Sequence, residues 1–521
     1  MPGRAAAWLL RDGPAWAVPA LVAAAGALAY LAADPPSADL AAQRFRTDLF
    51  EREGFTLVST AWYGGHHTPG YSVLFPPLGA LLGPRLVAAV AAVAAVAFVA
   101  ALVGDRGRAA GLLVAPALLG SLVSGRLAFT LGFGVAAGAV LAAARGRVAL
   151  AAGTGVLAAL ASPVAAAFAG IAGVGLAAER ATRSAGLALG AAAAIPVALL
   201  TLAFPEGGTF PFVPSAFWPT FVAAVAVAAA APREWRALRA AAAVYAVVAL
   251  AAFAVDTPLG GNASRLGTIA AAPAAALVLW PRRRVVLAVL ALPIAYWALQ
   301  PAVRDWLRAH DDPSTAAAFY APVADFLAAR QPARVEVPFT QNHGEAHHLA
   351  RRLPIARGWL RQLDIDRNRL FYEGELTPEA YDAWLREHAI GFVAVPLGLP
   401  MDESAEAEKI LALSGVRSLR EVFRSEDWRV FATTHGQPLA DGVATLERMK
   451  AEGFVLRARG AGTSTVRVRF TPYWALLEGE GCVERAPGDW TRVRVRRAGR
   501  VEVGTRFAPG RIRAESPRCT G

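Results

Sequence analysis

Two histidine-containing segments hold the residue types that could perform chemistry. The first, TAWYGGHHTPGYSVLFPPL, combines the adjacent His66 and His67 with aromatic rings and prolines. Adjacent side chains point in different directions in most backbones, so this pair is a poor metal chelate, and hydrogen bonding to a substrate or acceptor is the better interpretation. Trp62, Tyr63 and Tyr71 could stack on a ring of that substrate or lie in the aromatic belt at a membrane surface.

The second segment, QNHGEAHH, contains His343, Glu345 and His347. His343 and His347 are four residues apart, a spacing that places two side chains on one helix face. Gly344 weakens a helix there, and the residue order is not that of the HExxH zinc motif. We predict a polar loop in which His343 and Glu345 contact a sugar or acceptor, with no metal.

A glycine-rich stretch, TPLGGNASRLG, stands before a later apolar run. Its Asn262 and Arg265 could together hold a phosphate group, because guanidinium groups bind phosphate through paired hydrogen bonds. Asn262 could equally cap the helix that follows. Both interpretations remain open from the sequence.

Apolar helices must position these residues. The chain has 521 residues, 55% of them hydrophobic, and a mean hydropathy of +0.40, which is too apolar for an ordinary soluble protein. A bilayer core of about 30 Å requires roughly 20 apolar residues per helix. Over 1–300 we predict eleven spans, at 14–33, 84–103, 109–123, 127–144, 148–161, 163–178, 184–203, 216–231, 238–254, 265–280 and 285–300. The stretches 109–144 and 148–178 could each instead be one long broken helix.

The charge distribution predicts the orientation of these spans. Lys and Arg total 52 against 40 Asp and Glu, a net charge of +12, and the basic residues gather between the apolar runs. This distribution indicates membrane topology rather than nucleic-acid binding. By the positive-inside rule we expect a multi-pass plasma-membrane protein with a retained first span and a cytoplasmic N-terminus that carries Arg4 and Arg11. The C-terminal region is then extracytoplasmic.

The predicted spans leave one long outward loop, 34–83, and a polar C-terminal region. Residues 301–440 mix helical and strand patterns and predict an extracytoplasmic α/β domain. Residues 441–521 alternate with period two and predict an antiparallel β-sandwich. The two cysteines of the chain, Cys482 and Cys519, both lie there and could form a disulfide or remain free thiols.

The long outward loop opens with a segment that predicts an amphipathic helix. Ser37 or Asp39 can cap this helix, while Leu40, Phe45 and Leu49 lie on or near one of its faces. Such a helix is expected to lie in the membrane interface with its apolar side in lipid. Asp39 would then stand at the first turn, beside the membrane surface.

This layout resembles the GT-C superfamily, whose members are multi-span glycosyltransferases that use polyprenyl-phosphate sugars. The shared features are an acidic residue opening a helix in a long first outward loop, about eleven spans and a C-terminal extracytoplasmic domain. The segments DLAAQRFR, WYGGHHTPGYSVLFPPL, PLGGNASRL, ARGWLRQLD and DWRVF also resemble those of a group of actinobacterial integral membrane proteins. The resemblance implies a GT-C-like polytopic fold.

The resemblance also implies roles for the residues of the first loop. Asp39 matches the superfamily's catalytic acid and would act as general base on an acceptor hydroxyl. Leu40 occupies the place of the second acid that the superfamily often carries, and Asp34 and Asp48 are alternative bases. The phosphate leaving group needs a cation, for which the candidates are Arg44, Arg46 and Arg265.

The implied reaction moves a sugar from a polyprenyl-phosphate donor to a cell-envelope glycan, lipid or protein on the outer face. The implied partners are membrane lipid, this donor and that acceptor, without nucleic acid. The sequence indicates no cofactor beyond the lipid-linked donor and no divalent metal. The alternatives are a non-catalytic envelope scaffold or glycan-binding protein on the same fold, and an envelope lipid or polysaccharide exporter. The exporter is disfavoured because the spans lack acidic groups at mid-membrane.

Overall fold

The computed structural model describes residues 13–280, 282–434, 436–512 and 519. The chain divides into two compact units. The first contains the chain up to Gln43, Tyr71–Thr201 and Gly207–His310, and the second contains Arg44–Gly70, Leu202–Glu206 and the chain from Asp311 onward. Arg4 and Arg11, which entered the orientation prediction, lie outside the described residues.

Helices make up most of the chain before His310. In chain order they are α1 (Ala17–Ala33), α2 (Leu40–Glu53), α3 (Phe75–Leu82), α4 (Pro84–Val103), α5 (Gly107–Val123), α6 (Leu127–Ala144), α7 (Val148–Ala161), α8 (Pro163–Ala177), α9 (Arg183–Ala203), α10 (Pro214–Ala230), α11 (Arg236–Ala254), α12 (Ser264–Leu279) and α13 (Arg284–Ala309). Each of the eleven predicted spans coincides with α1 or with one helix of the series α4 to α13. The prediction of a polytopic helical membrane protein is confirmed.

Five helical stretches of the described residues are long and apolar enough to cross a membrane. They are Pro84–Val123, Leu127–Ala144, Arg183–Ala203, Arg236–Ala254 and Arg284–Ala309. Ala17–Ala33, Val148–Ala161, Pro163–Ala177 and Pro214–Ala230 are shorter apolar helices. The protein is therefore a multi-pass membrane protein.

The two stretches with uncertain continuity each consist of two helices. A turn at 124–126 separates α5 from α6, and Ser162 separates α7 from α8. Ser162 has extended backbone and its hydroxyl accepts a hydrogen bond from the Ala165 amide, while Pro163 occupies the first helical position. A serine cap followed by proline starts a new helix, which explains the break.

Small residues let the helices of the first unit approach closely. Helix α6 packs against α4 and α7. A Cβ atom at Gly134 would lie 2.6 Å from the Ala91 carbonyl oxygen of α4, and one at Gly132 would lie 2.6 Å from the Ser162 side chain. Close backbone approach at glycine and alanine is the usual way in which membrane helices gain packing energy.

The second unit begins with a β-hairpin and continues with an α/β layer. The hairpin strands are β1 (Val58–Ser59) and β2 (His66–His67), paired antiparallel with Ser59 opposite His66. Its turn contains Tyr63, Gly64 and Gly65, all with positive φ, a conformation that glycine adopts without strain. The α/β elements that follow are α14 (Ala317–Ala328), β3 (Arg334–Glu336), α15 (Glu345–His348), α16 (Arg361–Arg367), α17 (Pro378–Glu387), β4 (Ile390–Pro396), α18 (Glu406–Ser414), β5 (Leu419–Arg424) and β6 (Trp428–Thr433).

The α/β layer has one four-stranded mixed sheet in the order β3-β4-β6-β5. Strands β3 and β4 are parallel, and the other pairs are antiparallel. Trp428 is fully buried and donates its indole N–H to the Phe319 carbonyl oxygen at 2.8 Å. This tryptophan therefore fastens α14 to the sheet.

The remaining strands form a sandwich of two antiparallel sheets. In chain order they are β7 (Ala440–Gly442), β8 (Ala444–Lys450), β9 (Gly453–Ala458), β10 (Gly462–Arg469), β11 (Trp474–Glu478), β12 (Gly481–Arg485), β13 (Trp490–Val495) and β14 (Gly499–Thr505). The sheet orders are β12-β13-β10-β7 and β11-β14-β9-β8. Val58 of the hairpin joins the sandwich core, and Cys482 and Cys519 form a disulfide.

Candidate functional site

A cluster of charged side chains stands at helix ends of the first unit. Asp39 immediately precedes α2, and Arg126 lies in the turn between α5 and α6. The Arg126 Nε atom is 3.9 Å from Asp39 Oδ2, and its Nη2 atom is 3.3 Å from Asp305 Oδ2, near the end of α13. One guanidinium group thus bridges two carboxylates that belong to different helices.

A glycine positions the first member of this cluster. Gly125 has a φ of +75°, and a Cβ atom there would lie 2.6 Å from Ser37 Oγ and 2.8 Å from the Leu40 amide nitrogen. Only a residue without a side chain allows the turn backbone to approach the chain on both sides of Asp39 so closely. The turn therefore fixes where α2 begins and where its preceding carboxylate stands.

Arg265 belongs to the same cluster. It is the second residue of α12, and its charged neighbours are Arg126, Asp39, Tyr71 and Asp305. Among the described residues no carboxylate lies within 4 Å of Arg265. Arg304 Nη2 also lies 3.2 Å from Asp305 Oδ1, so the cluster contains two carboxylates and three guanidinium groups.

The alternative bases are held in ion pairs of their own. Asp34 Oδ1 is 2.7 Å from Arg85 Nε. Asp34 follows the last residue of α1 and has a left-handed backbone conformation. Asp48 Oδ2 is 2.8 Å from His347 Nε2 and 3.1 Å from Arg351 Nε. Burial raises the pKa of Asp48, but the hydrogen bond and charge of His347 and the charge of Arg351 outweigh it, so the pKa is lowered. Both carboxylates have evident structural roles.

The three predicted phosphate-binding arginines belong to different units, with Arg44 and Arg46 in the second and Arg265 in the first. Arg46 is buried, with its guanidinium carbon 5.6 Å from the ring centres of both Trp62 and Trp359 in the second unit. This is a cation held between two aromatic faces. Arg44 is a charged neighbour of His348, also in the second unit. Arg265 is the one of the three that belongs to the first unit, where Asp39 and Arg126 are its neighbours.

The apolar face of α2 corrects the expectation of a lipid-facing helix. Phe45 and Leu49 are buried, and the Phe45 ring stacks on Trp62 with centroids 4.3 Å apart. The aromatic-belt alternative is likewise wrong for Trp62 and Tyr63, because both are buried. Trp62 Nε1 donates to the Ala346 carbonyl oxygen at 3.0 Å, and the Tyr63 hydroxyl donates to a carbonyl oxygen at 3.1 Å. The hairpin turn is therefore an internal packing element of the second unit.

The two hairpin histidines have different surroundings. Burial and the nearby Arg46 and Arg367 charges lower the pKa of His66 to about 3 despite the opposing Glu206 charge, so His66 is neutral at pH 7. His67 Nδ1 lies 2.7 Å from Glu206 Oε1, and its Nε2 lies 3.0 Å from the Thr471 hydroxyl. Arg367 donates to the other Glu206 oxygen at 3.1 Å. His67 thus ties the hairpin to two other segments of the second unit.

Other predicted contact residues lie in smaller groups. His343 lies 3.5 Å from Glu345 Oε1 and 3.6 Å from Asp402 Oδ2, and Glu345 accepts a hydrogen bond from Thr340 at 2.7 Å. Asn262 lies in the turn before α12. The residue at the N-cap of that helix is Ala263, so of the two open interpretations of Asn262 the structure does not support the helix cap.

Tyr71 lies among the residues of the Asp39 cluster, and its hydroxyl accepts a hydrogen bond from Gln43 at 2.8 Å.

The described part of the chain contains no group of three His, Cys, Asp or Glu side chains arranged to hold a metal ion.

Asp305 is the member of the cluster that sequence reasoning missed. It lies 179 positions from Arg126, and its helix was predicted only as an apolar span ending near residue 300. The signal in the sequence was Asp305 itself. It lies between Arg304 and Arg308 in the segment RDWLRAH, just beyond the last apolar run.

The comparisons with known proteins concern the fold. No protein-family model and no curated protein matches the chain. Among solved structures, arabinofuranosyltransferase AftD from Mycobacteria is similar with a TM-score of 0.49 and 18% identity, over 86% of this chain and 41% of AftD. A mutant AftD structure has the same TM-score and identity over 80% of this chain. This chain thus spans less than half the length of AftD.

ArnT from Cupriavidus metallidurans in the apo state is similar with a TM-score of 0.39 and 14% identity, over 82% of this chain and 98% of ArnT. AftD and ArnT are both GT-C membrane glycosyltransferases, the superfamily that the layout of the chain resembles. Because these TM-scores lie below 0.5, we base no functional conclusion on them.

Proposed function

We propose that the protein is a membrane glycosyltransferase that moves a sugar from a polyprenyl-phosphate donor to a cell-envelope acceptor on the outer face. The observation that carries the proposal is the bridge from Asp39 through Arg126 to Asp305, with Arg265 beside it. These groups stand at helix ends, where a lipid-linked substrate and a water-soluble acceptor can both reach a membrane protein.

The charges match the needs of the reaction. Asp39 takes the proton of an acceptor hydroxyl, whose oxygen forms a new bond to the anomeric carbon. The bond between that carbon and the donor phosphate oxygen breaks, and the phosphate leaves with the electron pair. Arg265 is suited to receive this anion because guanidinium groups bind phosphate through two parallel hydrogen bonds.

Arg126 serves as a positioning residue in this proposal. Its Nε atom lies 3.9 Å from Asp39 Oδ2, so the Arg126 charge can orient this carboxylate toward an acceptor hydroxyl. Asp305 holds the other side of Arg126 at 3.3 Å. Leu40 follows Asp39 at the place where the superfamily often has a second acid. In this proposal, Asp305 of α13 takes the place of that acid.

A non-catalytic envelope scaffold is the second candidate. The same bridge can act purely as a structural ion pair that fastens the start of α2 and the end of α13 to the turn between α5 and α6. Mutation of Asp39 distinguishes the two, because Asp39→Asn should strongly reduce sugar transfer by an enzyme, whereas in a scaffold it should weaken only the ion pair and leave the envelope glycans unchanged.

The test uses a deletion strain complemented with the wild type, Asp39→Asn or Asp34→Asn. Envelope glycans and lipids are compared by mass spectrometry, and the purified proteins are assayed with radiolabelled polyprenyl-phosphate sugars. Asp39→Asn should lower transfer by roughly 10²–10⁴-fold, the usual contribution of a general base. Asp34→Asn is the matched control and should retain activity. Full rescue of the glycan profile by Asp39→Asn would exclude Asp39 as the base.

A further inference from the structure

A groove of about 460 Å³ in the second unit has five cations among its sixteen lining residues. Its walls come from the second half of α2, the β1 region, residues 350–354 and the end of β8. Its charged lining residues are Arg52, Arg351, Arg352, Arg448, Lys450 and Glu53. We refer to this feature as the basic groove, since five of these six side chains are basic.

Three of the five cations have a carboxylate partner that does not line the groove. These pairs are Arg351 with Asp48 at 3.1 Å, Arg352 with Asp325 at 2.7 Å, and Lys450 with Glu502. Within the described ranges, Arg52 donates to the carbonyl oxygens of Asp48 and Arg351, at 3.2 and 3.4 Å, and its charge lies near the Asp48 carboxylate without forming a close ion pair. Arg448 makes no side-chain hydrogen bond or ion pair there. Neither guanidinium group therefore has a carboxylate within 4 Å among the described residues.

The floor of the basic groove is apolar. Leu49 and Leu353 are buried beneath it, and Met449 is partly exposed beside them. A cavity of this size accommodates a single sugar or a lipid headgroup, since small-molecule sites span roughly 300–1,000 Å³. It is too small for a folded partner or a long polymer.

We propose that the basic groove binds a phosphate-bearing ligand, with the phosphate at Arg52 and Arg448 and the remainder of the ligand on the apolar floor. A phosphate monoester carries a charge of about −1.5 to −2 at pH 7, which matches the charge of these two guanidinium groups. Guanidinium also presents paired donors whose geometry fits phosphate oxygens. A soluble sugar phosphate and a phosphate-bearing lipid headgroup share this chemistry, and the experiment below distinguishes the two sources.

This proposal is independent of the proposed glycosyl transfer, because the basic groove contains none of Asp39, Arg126, Arg265 or Asp305. The variant Asp39→Asn should bind the groove ligand as tightly as the wild type does. Failure of one proposal is therefore distinguishable from failure of the other.

The experiment uses the full-length protein in a non-ionic detergent. In the soluble arm, isothermal titration calorimetry compares glucose 1-phosphate with glucose. In the lipid arm, dioleoylphosphatidic acid and dioleoylglycerol are titrated in mixed micelles. The wild type should bind the phosphate compound of at least one arm and not its neutral counterpart. Binding should weaken as salt increases, because exposed charges are screened within about 10 Å at 0.1 M ionic strength.

The variant Arg52→Gln/Arg448→Gln should bind the phosphate compound at least about tenfold more weakly, since each charged hydrogen bond contributes on this scale. The control Arg497→Gln removes an exposed arginine paired with Glu480 at 2.8 Å outside the groove, and it should bind normally. Equal melting temperatures of the three proteins would show that the variants are folded. The proposal is overturned if neither phosphate compound binds more tightly than its neutral counterpart, or if the double variant binds as well as the wild type.

Discussion

Replacing Glu206 by Gln should destabilise the second unit in a strongly pH-dependent way. Glu206 accepts a hydrogen bond from Arg367 at 3.1 Å and lies 2.7 Å from His67 Nδ1. Burial by itself would raise the pKa of Glu206, but Arg367 and His67 outweigh it and lower the pKa from its ordinary 4.5 to about 2. The carboxylate is therefore stabilised in the folded protein more than in the unfolded chain.

The size of the effect follows from this pKa difference. One pKa unit corresponds to 1.36 kcal/mol, so Glu206 contributes about 3 kcal/mol to the free energy of unfolding at pH 7. Little of this is lost to solvent screening, since the side chain is 17% exposed. A carboxyl group with a lowered folded pKa stabilises above its unfolded pKa and loses this contribution as the pH falls. The difference between wild type and Glu206→Gln should shrink from pH 4.5 downward and vanish near pH 2.

Denaturant unfolding of the full-length protein in detergent, followed by tryptophan fluorescence between pH 7 and pH 3, measures this difference. The matched control is Glu447→Gln, whose partner Arg457 is 3.3 Å away in an exposed pair. Exposed pairs contribute about 0–1 kcal/mol, so the control should unfold much like the wild type. Equal losses for the two variants at pH 7, or a loss that does not depend on pH, would refute the assigned role of Glu206.

Two further substitutions test the elements that position the site and the α/β layer. Gly125→Ala should reduce transfer activity, because the new methyl group would displace the chain around Asp39. Gly146→Ala is its control in the same assay, since Gly146 also has a positive φ of 70° but has nothing within 4 Å of an added Cβ; equal losses would contradict the argument. Trp428→Ala should lower the free energy of unfolding by about 3–5 kcal/mol, measured by denaturant titration, because it leaves a cavity and removes the hydrogen bond to the Phe319 carbonyl. A loss below about 1 kcal/mol would contradict the burial of this side chain.

The helices of the first unit were predictable because each depends on consecutive residues. An apolar run of sufficient length forms a helix in a membrane whatever the rest of the chain does, since the backbone must satisfy its own hydrogen bonds. The breaks were also visible, because Ser162 and the turn at 124–126 carry local signals for ending and starting helices. The strands of the C-terminal sandwich were predictable for the same reason, because their apolar and polar residues alternate with a period of two along consecutive positions.

The environment of α2 could not be predicted, because it depends on residues far away in the sequence. The apolar face of α2 indicated lipid, but Phe45 stacks on Trp62, which in turn bonds to Ala346. The second carboxylate of the Asp39 cluster was missed for the same reason. A periodic pattern shows which side of a helix is apolar, and it carries no information about what covers that side.

The second unit consists of three chain segments, and the order of synthesis determines when it can form. Trp62 and the carbonyl group that it bonds are 284 residues apart. At a synthesis rate of 5–20 residues per second, the hairpin waits roughly 15–60 s for the rest of its core. During this interval its aromatic side chains are exposed, so we expect the growing chain to depend on a holding chaperone. Mutations that weaken the hairpin should consequently reduce the yield of the protein more than the stability of the molecules that complete folding.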